Sequence, residues 1–273
     1  MLKNVIVPLD GSEYSWSAVQ HAIQIACPYR ATIHGLYAID AKVIQGDLLD
    51  DLKVDPEVAK ALYTDKGRKL LKDFSEKCKG AGVVFQPVID MSAIPDLVRK
   101  TATKVDAELI VMGKKGVNAQ WTGPLLGSTA ESLVRRVKRP VLLAQEKYTP
   151  IKKVCVAYDG EIVSIRALRF VADLCERCKW EMSVISVHDS EERRRKLLRE
   201  AEEMAELHQL KIITIGRSGD ATEQIIDAVS GDPDILVAIG AYSSRLRRLI
   251  LGSVPEEVMR QAAQPVLIYR PPS

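Results

Sequence analysis

The chain has 273 residues, of which 47% are hydrophobic, 27% are charged and only 5% are aromatic. This balance is typical of soluble globular domains and excludes a disordered, collagen-like or low-complexity chain. The formal net charge of +3 gives no reason to expect a dedicated nucleic-acid binder. The length is too great for one small domain and suits two domains of roughly 135 residues each.

The first half alternates short apolar segments with amphipathic ones. The apolar segments predict strands at residues 5–9, 32–39, 83–89, 108–112 and 140–144. Helical spacing predicts helices through residues 18–26, 57–79, 93–103 and 128–138. Along the long helix at 57–79 we expect these side chains to face the core: Ala61, Leu62, Leu70, Leu71 and Phe74.

The second half repeats this order. Strands are predicted at residues 154–158, 182–187, 211–215, 235–239 and 266–269, and helices at 165–178, 191–208, 221–229 and 254–263. Apolar strands separated by amphipathic helices predict a parallel sheet covered on both faces. The predicted fold class is therefore α/β, with two copies of a five-stranded parallel sheet flanked by helices, in a Rossmann-like arrangement.

The two halves are copies of one domain. Residues 3–40 align without a gap on residues 152–189, and the later match pairs Gly127 and Ser128 with Gly252 and Ser253. Other identical pairs are Asp10/Asp159, Gly11/Gly160, Glu131/Glu256 and Arg135/Arg260. We place the domains at residues 1–147 (the first copy) and 151–273 (the second copy), since solenoid repeats are far shorter. The first copy is longer near residues 41–56, a segment that could act as a mobile cover.

Glycines and polar residues cluster where strands of the first copy end. Asp10 follows the first strand, and two glycines follow the fourth, within Gly113-Lys114-Lys115-Gly116, where we expect the two lysines to add positive charge to the site. The next helix opens at Gly127, Ser128 and Thr129. The carboxyl ends of parallel strands meet at one edge, where glycines and a helix N-terminus favour an anion. Phosphates on this loop and a ribose at Asp10 would suit a nucleotide, although each feature taken alone is also typical of an ordinary turn or helix cap.

Several of these segments together resemble the universal stress protein family over essentially the whole chain, as two tandem domains. They are Val7–Ser12, Tyr37–Asp40, the glycine pattern from Gly113 to Ser128, and Pro140–Leu142. The resemblance implies a five-stranded parallel α/β fold. It also implies ATP binding in the branch that carries G-x2-G-x9-G-[ST], and none in the other branch.

The resemblance also implies roles for individual residues. Asp10 would meet the ribose, the backbone of Ala38 would meet the adenine, and Pro8 would lie beside the nucleotide. The phosphates would be held by Gly113, Gly116, Gly127, Ser128 and Thr129.

Both copies depart from the family pattern. The stretch from Gly116 to Gly127 is one residue too long and contains Trp121, Gly123 and Pro124, and the second copy has Ser243 in place of the second glycine. The second copy keeps Asp159, Val187, Gly240, Gly252, Ser253 and Val254, with Arg245, Arg247 and Arg248 nearby. We expect the first copy to bind the nucleotide and treat the second as a further candidate.

These observations favour a regulatory protein that binds an adenine nucleotide, ATP or AMP, with Mg²⁺ as a companion of ATP. Two alternatives stay open: a protein-interaction scaffold of the same fold without nucleotide, and a slow ATPase. We assign no catalytic residues and no metal ligands. Four scattered histidines have no nucleophile at motif spacing, and Cys175 and Cys178 lack a second pair of ligands, so we expect those thiols in the core.

The expected location is the cytoplasm, with no membrane partner. The N-terminal residues lack the apolar region of a signal peptide, no apolar run approaches the ~18 residues of a membrane span, and the five cysteines are scattered. The last strands, at 140–144 and 265–269, are almost wholly apolar and need covering. By resemblance they pair the two copies as an intramolecular pseudo-dimer, and a homodimer of the whole chain is a further option.

Overall fold

The computed structural model describes residues 2–40, 55–117, 126–241 and 252–271. The strands of the first copy are β1 (Asn4–Pro8), β2 (Thr32–Ala38), β3 (Val84–Asp90), β4 (Leu109–Gly113) and β5 (Val141–Ala144). Those of the second copy are β6 (Lys153–Ala157), β7 (Glu181–Val187), β8 (Ile212–Arg217), β9 (Ile235–Gly240) and β10 (Val266–Tyr269).

Each copy contributes four described helices. The first copy has α1 (Glu13–Tyr29), α2 (Pro56–Gly80), α3 (Ile94–Val105) and α4 (Ser128–Arg136). The second copy has α5 (Ile162–Cys178), α6 (Glu191–Glu206), α7 (Ala221–Val229) and α8 (Ser253–Gln261).

All ten strands join one sheet in the order β3-β2-β1-β4-β5-β10-β9-β6-β7-β8. The pairs within each copy are parallel, and the two copies meet through the antiparallel pair β5–β10. The predicted α/β fold with one five-stranded parallel sheet per copy is confirmed. The final strands of the copies fuse the two sheets into one, as the resemblance implied.

The strand order positions a cleft in each copy. From β1 the chain moves outward to β2 and β3, then returns to the other side of β1 at β4. Ligands of open parallel sheets bind at such a switch point, beyond the carboxyl ends of the strands. The fold therefore provides one cleft between the ends of β1 and β4, and a second between the ends of β6 and β9.

The long helix α2 differs from its prediction in which face is buried. Its buried residues are Ala59, Gly67, Leu71, Phe74 and Cys78, which form one stripe along the helix. Leu71 and Phe74 match the prediction. Ala61 and Leu62 lie to the side of the stripe and are exposed, Leu62 to 64%. The prediction for those two residues is wrong because hydrophobicity alone does not fix the face that meets the sheet.

Helices α4 and α8 reinforce the junction between the copies. Nη2 of Arg135 on α4 lies 2.9 Å from Oε1 of Glu256 on α8. Nη2 of Arg260 on α8 lies 3.7 Å from Oε1 of Glu131 on α4. These four residues are the identical pairs Glu131/Glu256 and Arg135/Arg260 of the sequence repeat. Their identity thus reflects a reciprocal contact between the copies as well as common descent from one domain.

Helices α1 and α5 form a second contact between the copies. The hydroxyl of Tyr29 donates to the backbone oxygen and to Oδ2 of Asp173, both at 2.8 Å. Gln24 donates to the backbone oxygen of Ile151 at 2.6 Å and accepts from its N–H at 3.1 Å. The relation between the copies is therefore fixed on both sides of the β5–β10 pair.

His21 on α1 is fully buried beside this contact. Its ring lies edge-on to Tyr148 at a centroid distance of 4.8 Å, and within the described residues neither ring nitrogen makes a hydrogen bond of normal geometry. Burial lowers the pKa of His21 to about 4, against a smaller opposite effect from Gln24. The aligned residue of the second copy is Phe170. The protein therefore holds a neutral imidazole where an apolar ring would serve the same packing role.

We predict that His21→Phe removes an acid-sensitive part of the stability. The unfolded chain takes up a proton at His21 near pH 6.5, whereas the folded chain does so near pH 4. The wild-type free energy of unfolding should therefore be full above pH 6.5 and fall by up to about 3 kcal/mol as the pH drops toward 4. Urea unfolding between pH 4 and 7 should show a shallower slope for the variant.

The matched control is His188→Asn, which replaces an exposed histidine and keeps an acceptor for the N–H of Ser190. This control should retain the wild-type slope. A wild-type slope in the His21→Phe protein would contradict the assignment of this effect to His21.

Candidate functional site

The first cavity lies where β1 and β4 end. It has a volume of about 230 Å³. It brings together the predicted residues Pro8, Asp10, Gly113, Gly116, Gly127, Ser128 and Thr129. The cavity is therefore lined by the end of β1, the loop after β4 and the start of α4.

Asp10 ties the glycine loop to the end of β1. Its Oδ1 accepts from the N–H of Ser12 at 2.9 Å and from the Ser12 hydroxyl at 2.6 Å, and its Oδ2 accepts from the N–H of Val117 at 3.0 Å. A Cβ at Gly116 would lie 2.7 Å from that Oδ2, so only glycine permits this approach. The carboxylate is held in place by three donors and lines the cavity.

Gly127 lets the start of α4 lie against the same loop. Its N–H donates to the backbone oxygen of Lys114 at 3.1 Å, and an added Cβ would lie 3.2 Å from that oxygen and from the Cα of Lys115. Gly127 is the N-cap residue and has no side chain with which to cap the helix. The first turn, with Ser128 and Thr129, therefore presents its N–H groups and the positive end of the helix dipole beside the cavity.

The two lysines of the glycine loop point to different places. Lys115 lines the cavity. Lys114 is buried, and its Nζ donates to the backbone oxygens of Arg260 at 3.1 Å and Ala262 at 2.9 Å, at the end of α8 in the second copy. The expectation that both lysines charge the site is wrong for Lys114. The carbonyl end of a helix favours a cation, so Lys114 serves the junction.

Ala38 does not line the first cavity. It ends β2, is half-buried and pairs with Asp90 of β3. The cavity includes apolar residues that the sequence analysis missed, Ile94 at the start of α3 and Met112 near the end of β4. The sequence could have indicated both residues. Met112 lies near the carboxyl end of a strand, and Ile94 lies at the start of the helix that follows another strand.

A second cavity lies at the ends of β6 and β9 and has a volume of about 270 Å³. It brings together all the predicted residues of the second copy: Asp159, Val187, Gly240, Gly252, Ser253 and Val254. Because β5 and β10 are antiparallel, the strands of the two copies point in opposite directions. The two cavities therefore open at opposite edges of the ten-stranded sheet.

Several sequence predictions fall outside the described residues. They concern the arginines of the second copy, Arg245, Arg247 and Arg248, and Ser243 beside them. They also concern Trp121, Gly123 and Pro124 of the lengthened loop, and all but the last two residues of the segment 41–56.

The thiols at 175 and 178 belong to the core side of α5. Cys175 is buried and Cys178 is half-buried, and burial raises the pKa of the Cys178 thiol to about 12. A high pKa disfavours the thiolate that metal binding and redox exchange require. Within residues 2–40, 55–117, 126–241 and 252–271, no three His, Cys, Asp or Glu side chains gather as a metal site would require.

The fold and cavities define a tandem α/β protein with a switch-point cleft in each copy. The family model described as the universal stress protein family matches residues 1–145 and 188–270, and the chain belongs to that family. No described helix is long and apolar enough to cross a membrane.

Relatives of this chain match either nearly its whole length or about half of it. A universal stress protein of Synechocystis sp. is 26% identical over 98% of this chain and 100% of its own length. One from Methanocaldococcus jannaschii is 28% identical over 54% of this chain and 84% of its own length. The crystal structure of a universal stress protein from Archaeoglobus fulgidus matches 98% of both chains with a TM-score of 0.80 at 21% identity, which supports the two-copy fold.

We predict that Lys114→Met destabilises the protein by about 2 kcal/mol at pH 7, because two carbonyls at the end of α8 lose their hydrogen-bond donor. Chemical unfolding would measure the change. Lys79→Met, at an exposed lysine of α2, should stay within about 0.5 kcal/mol of the wild type. Equal effects of the two substitutions would contradict the role of Lys114 at the junction.

The effect of Lys114→Met should grow in alkali. Burial, and then the charge of Lys115, lowers the pKa of Lys114 from 10.5 to about 8. Between those values the unfolded chain holds the proton and the folded chain releases it, while the neutral amine can still donate to both carbonyls. Wild-type stability therefore rises with pH. Relative to the variant, the wild type should gain up to about 3 kcal/mol from pH 8 to 10.5.

Proposed function

We propose that the first cavity binds an adenine nucleotide, ATP or AMP, and that the protein is a regulatory protein of the universal stress type. One observation carries the proposal. A fixed carboxylate, Asp10, and the start of α4, whose N-cap residue is a glycine, line the same cavity at the switch point of the sheet. The first group accepts hydrogen bonds from hydroxyls, and the second favours phosphate.

The hydroxyls and the phosphates of a nucleotide match the two kinds of polar group that line this cavity. Ribose hydroxyls would donate to Asp10, whose carboxylate can accept more than the three bonds it already receives. The phosphates would lie against Ser128, Thr129 and the ammonium of Lys115. Pro8 and Ile94 offer apolar surface for the adenine, so we propose them for the contact that the resemblance gives to Ala38.

The contacts of Asp10 favour binding over hydrolysis. A general base must be able to take a proton from a water molecule placed for attack. Asp10 is instead engaged by Ser12 and Val117, so its part is to hold the loop and the ligand. We therefore expect ATP turnover to be slow or absent. Mg²⁺ would reach the site with the phosphates of ATP.

We also propose the division of the chain into residues 1–147 and 151–273, and a cytoplasmic location. The proposed boundary falls between the end of β5 at Ala144 and the start of β6 at Lys153. The five cysteines form no disulfides, which supports a reducing compartment.

We predict that ATP raises the melting temperature of the purified protein, and that both Asp10→Ala and Gly127→Val abolish the shift. The first change removes the carboxylate. The second places a side chain against the backbone of Lys114 and Lys115, which separates the helix start from the loop. Differential scanning fluorimetry with ATP and AMP measures the shift, and adenine absorbance released on denaturation reports any retained nucleotide.

Asp159→Ala is the matched control, because it makes the same change at the aligned position of the second copy. This control should keep the ATP shift. A full shift in Asp10→Ala would move the nucleotide site out of the first cavity. No retained adenine and no shift in the wild type would favour the scaffold, and repeated turnover lost in Asp10→Ala would favour the ATPase.

A further inference from the structure

The second cavity has a carboxylate at the same position as the first. Asp159 and Ser164 align with Asp10 and Ser15, and all four residues line their cavities. Oδ1 of Asp159 accepts from the N–H of Glu161 at 3.0 Å, as Oδ1 of Asp10 accepts from the N–H of Ser12. A carboxylate that can accept from ligand hydroxyls is thus present in both copies.

The helix start at the second cavity has lost phosphate donors. Thr129 and Ala130 of α4 correspond to Val254 and Pro255 of α8, and these residues line their respective cavities. The change from Thr129 to Val254 removes a hydroxyl, and the change from Ala130 to Pro255 removes a backbone N–H. The first turn of α8 therefore offers two backbone N–H donors where α4 offers three. The side chains of Val254 and Pro255 also add apolar carbons to the lining of the second cavity.

The chain also enters the two helices differently. Gly127 has a φ of −63°, whereas Gly252 has a φ of +92°, which L side chains rarely adopt. The aligned positions of Lys115 and Gly116 are Tyr242 and Ser243, beyond the described residues. The sequence therefore has neither the lysine nor the second glycine that serve the first cavity.

The two cavities differ in one wall. Ala221 at the start of α7 takes the place in the second cavity that the larger Ile94 has in the first. The described lining also includes the aliphatic side chains of Val187, Ile225 and Ile239, beside Tyr158 and Ser164. Aliphatic side chains suit a planar, uncharged ring. A phosphate beside them would lose its hydration and gain too few hydrogen bonds to compensate.

We infer that the second cavity binds an uncharged nucleoside, a planar base on a hydroxyl-bearing sugar, in preference to a nucleotide. The hydroxyls donate to Asp159, and the base packs among the aliphatic walls. This inference rests on the proposed function in that it assumes the first cavity to be the nucleotide site. The two copies then respond to different forms of one ligand class, phosphorylated in the first and unphosphorylated in the second.

The experiment separates the two cavities with a matched pair of blocking variants. Ile94→Trp fills the first cavity and Ala221→Trp fills the second, each at the first residue of the equivalent helix. Adenosine and ATP are the probes, and titration calorimetry of the full chain gives affinity and stoichiometry for each. Circular dichroism and a cooperative melt establish that each variant is folded.

With the first cavity filled, we expect adenosine to bind at one site and ATP to bind at least about tenfold more weakly than adenosine. With the second filled, we expect ATP to bind at least about tenfold more tightly than adenosine, since charge-assisted hydrogen bonds to phosphate add to the affinity. The inference is overturned if the Ile94→Trp protein prefers ATP, as it would if Arg245, Arg247 or Arg248 held the phosphates, or if it binds neither probe.

Failure of the proposed function is a separate outcome, in which the Ala221→Trp protein does not bind ATP. A second test needs no blocked cavity. The double substitution Val254→Thr with Pro255→Ala restores the hydroxyl and the N–H to the start of α8. It should raise the ATP stoichiometry of the full chain from one to two, and a wild-type stoichiometry of two would overturn the inference.

Discussion

The antiparallel pairing of β5 with β10 is the interaction on which the rest of the structure depends. Each is a four-residue, fully buried strand that would otherwise form the apolar edge of its own five-stranded sheet. Pairing them satisfies the backbone of both edges and makes one sheet of ten strands. It also reverses the direction of the strands between the copies. The carboxyl ends of the strands, and with them the two cavities, consequently lie on opposite sides of the sheet, so one ligand cannot bridge the cavities.

The residues shared by the two copies answer to two different requirements. Asp10 and Asp159 are kept where the strands end and line the cavities. The identical pairs Glu131/Glu256 and Arg135/Arg260 instead face each other across the junction, on helices whose first turns line those same cavities. The site and the junction use adjacent residues of one loop. Lys115 lines the first cavity, whereas the ammonium of Lys114 donates to backbone oxygens at the end of α8.

Much of the fold could be predicted because apolar runs and helical spacing are local properties of the chain. The gathering of Asp10 and Gly127 also followed, since parallel strands bring their carboxyl ends together. Lys114 could not be placed, because its partners lie in the other copy and its direction depends on the path of the loop. Leu62 was misplaced because α2 carries apolar residues beyond its buried stripe, and only the packing of the helix decides which face is covered.

The junction also explains where the copies were able to diverge. The far end of α8 is committed, since Arg260 pairs with Glu131 and its own backbone oxygen accepts from Lys114. Among the described residues, the first turn of α8 contributes one side chain to the ion pairs of the junction, that of Glu256, whose carboxylate reaches Arg135. Val254 and Pro255 precede Glu256 and pack on the core without joining those ion pairs, so the ion pairs of the junction do not fix their identity. A duplication held together at the ends of its last helices leaves the starts of those helices free to acquire different ligands.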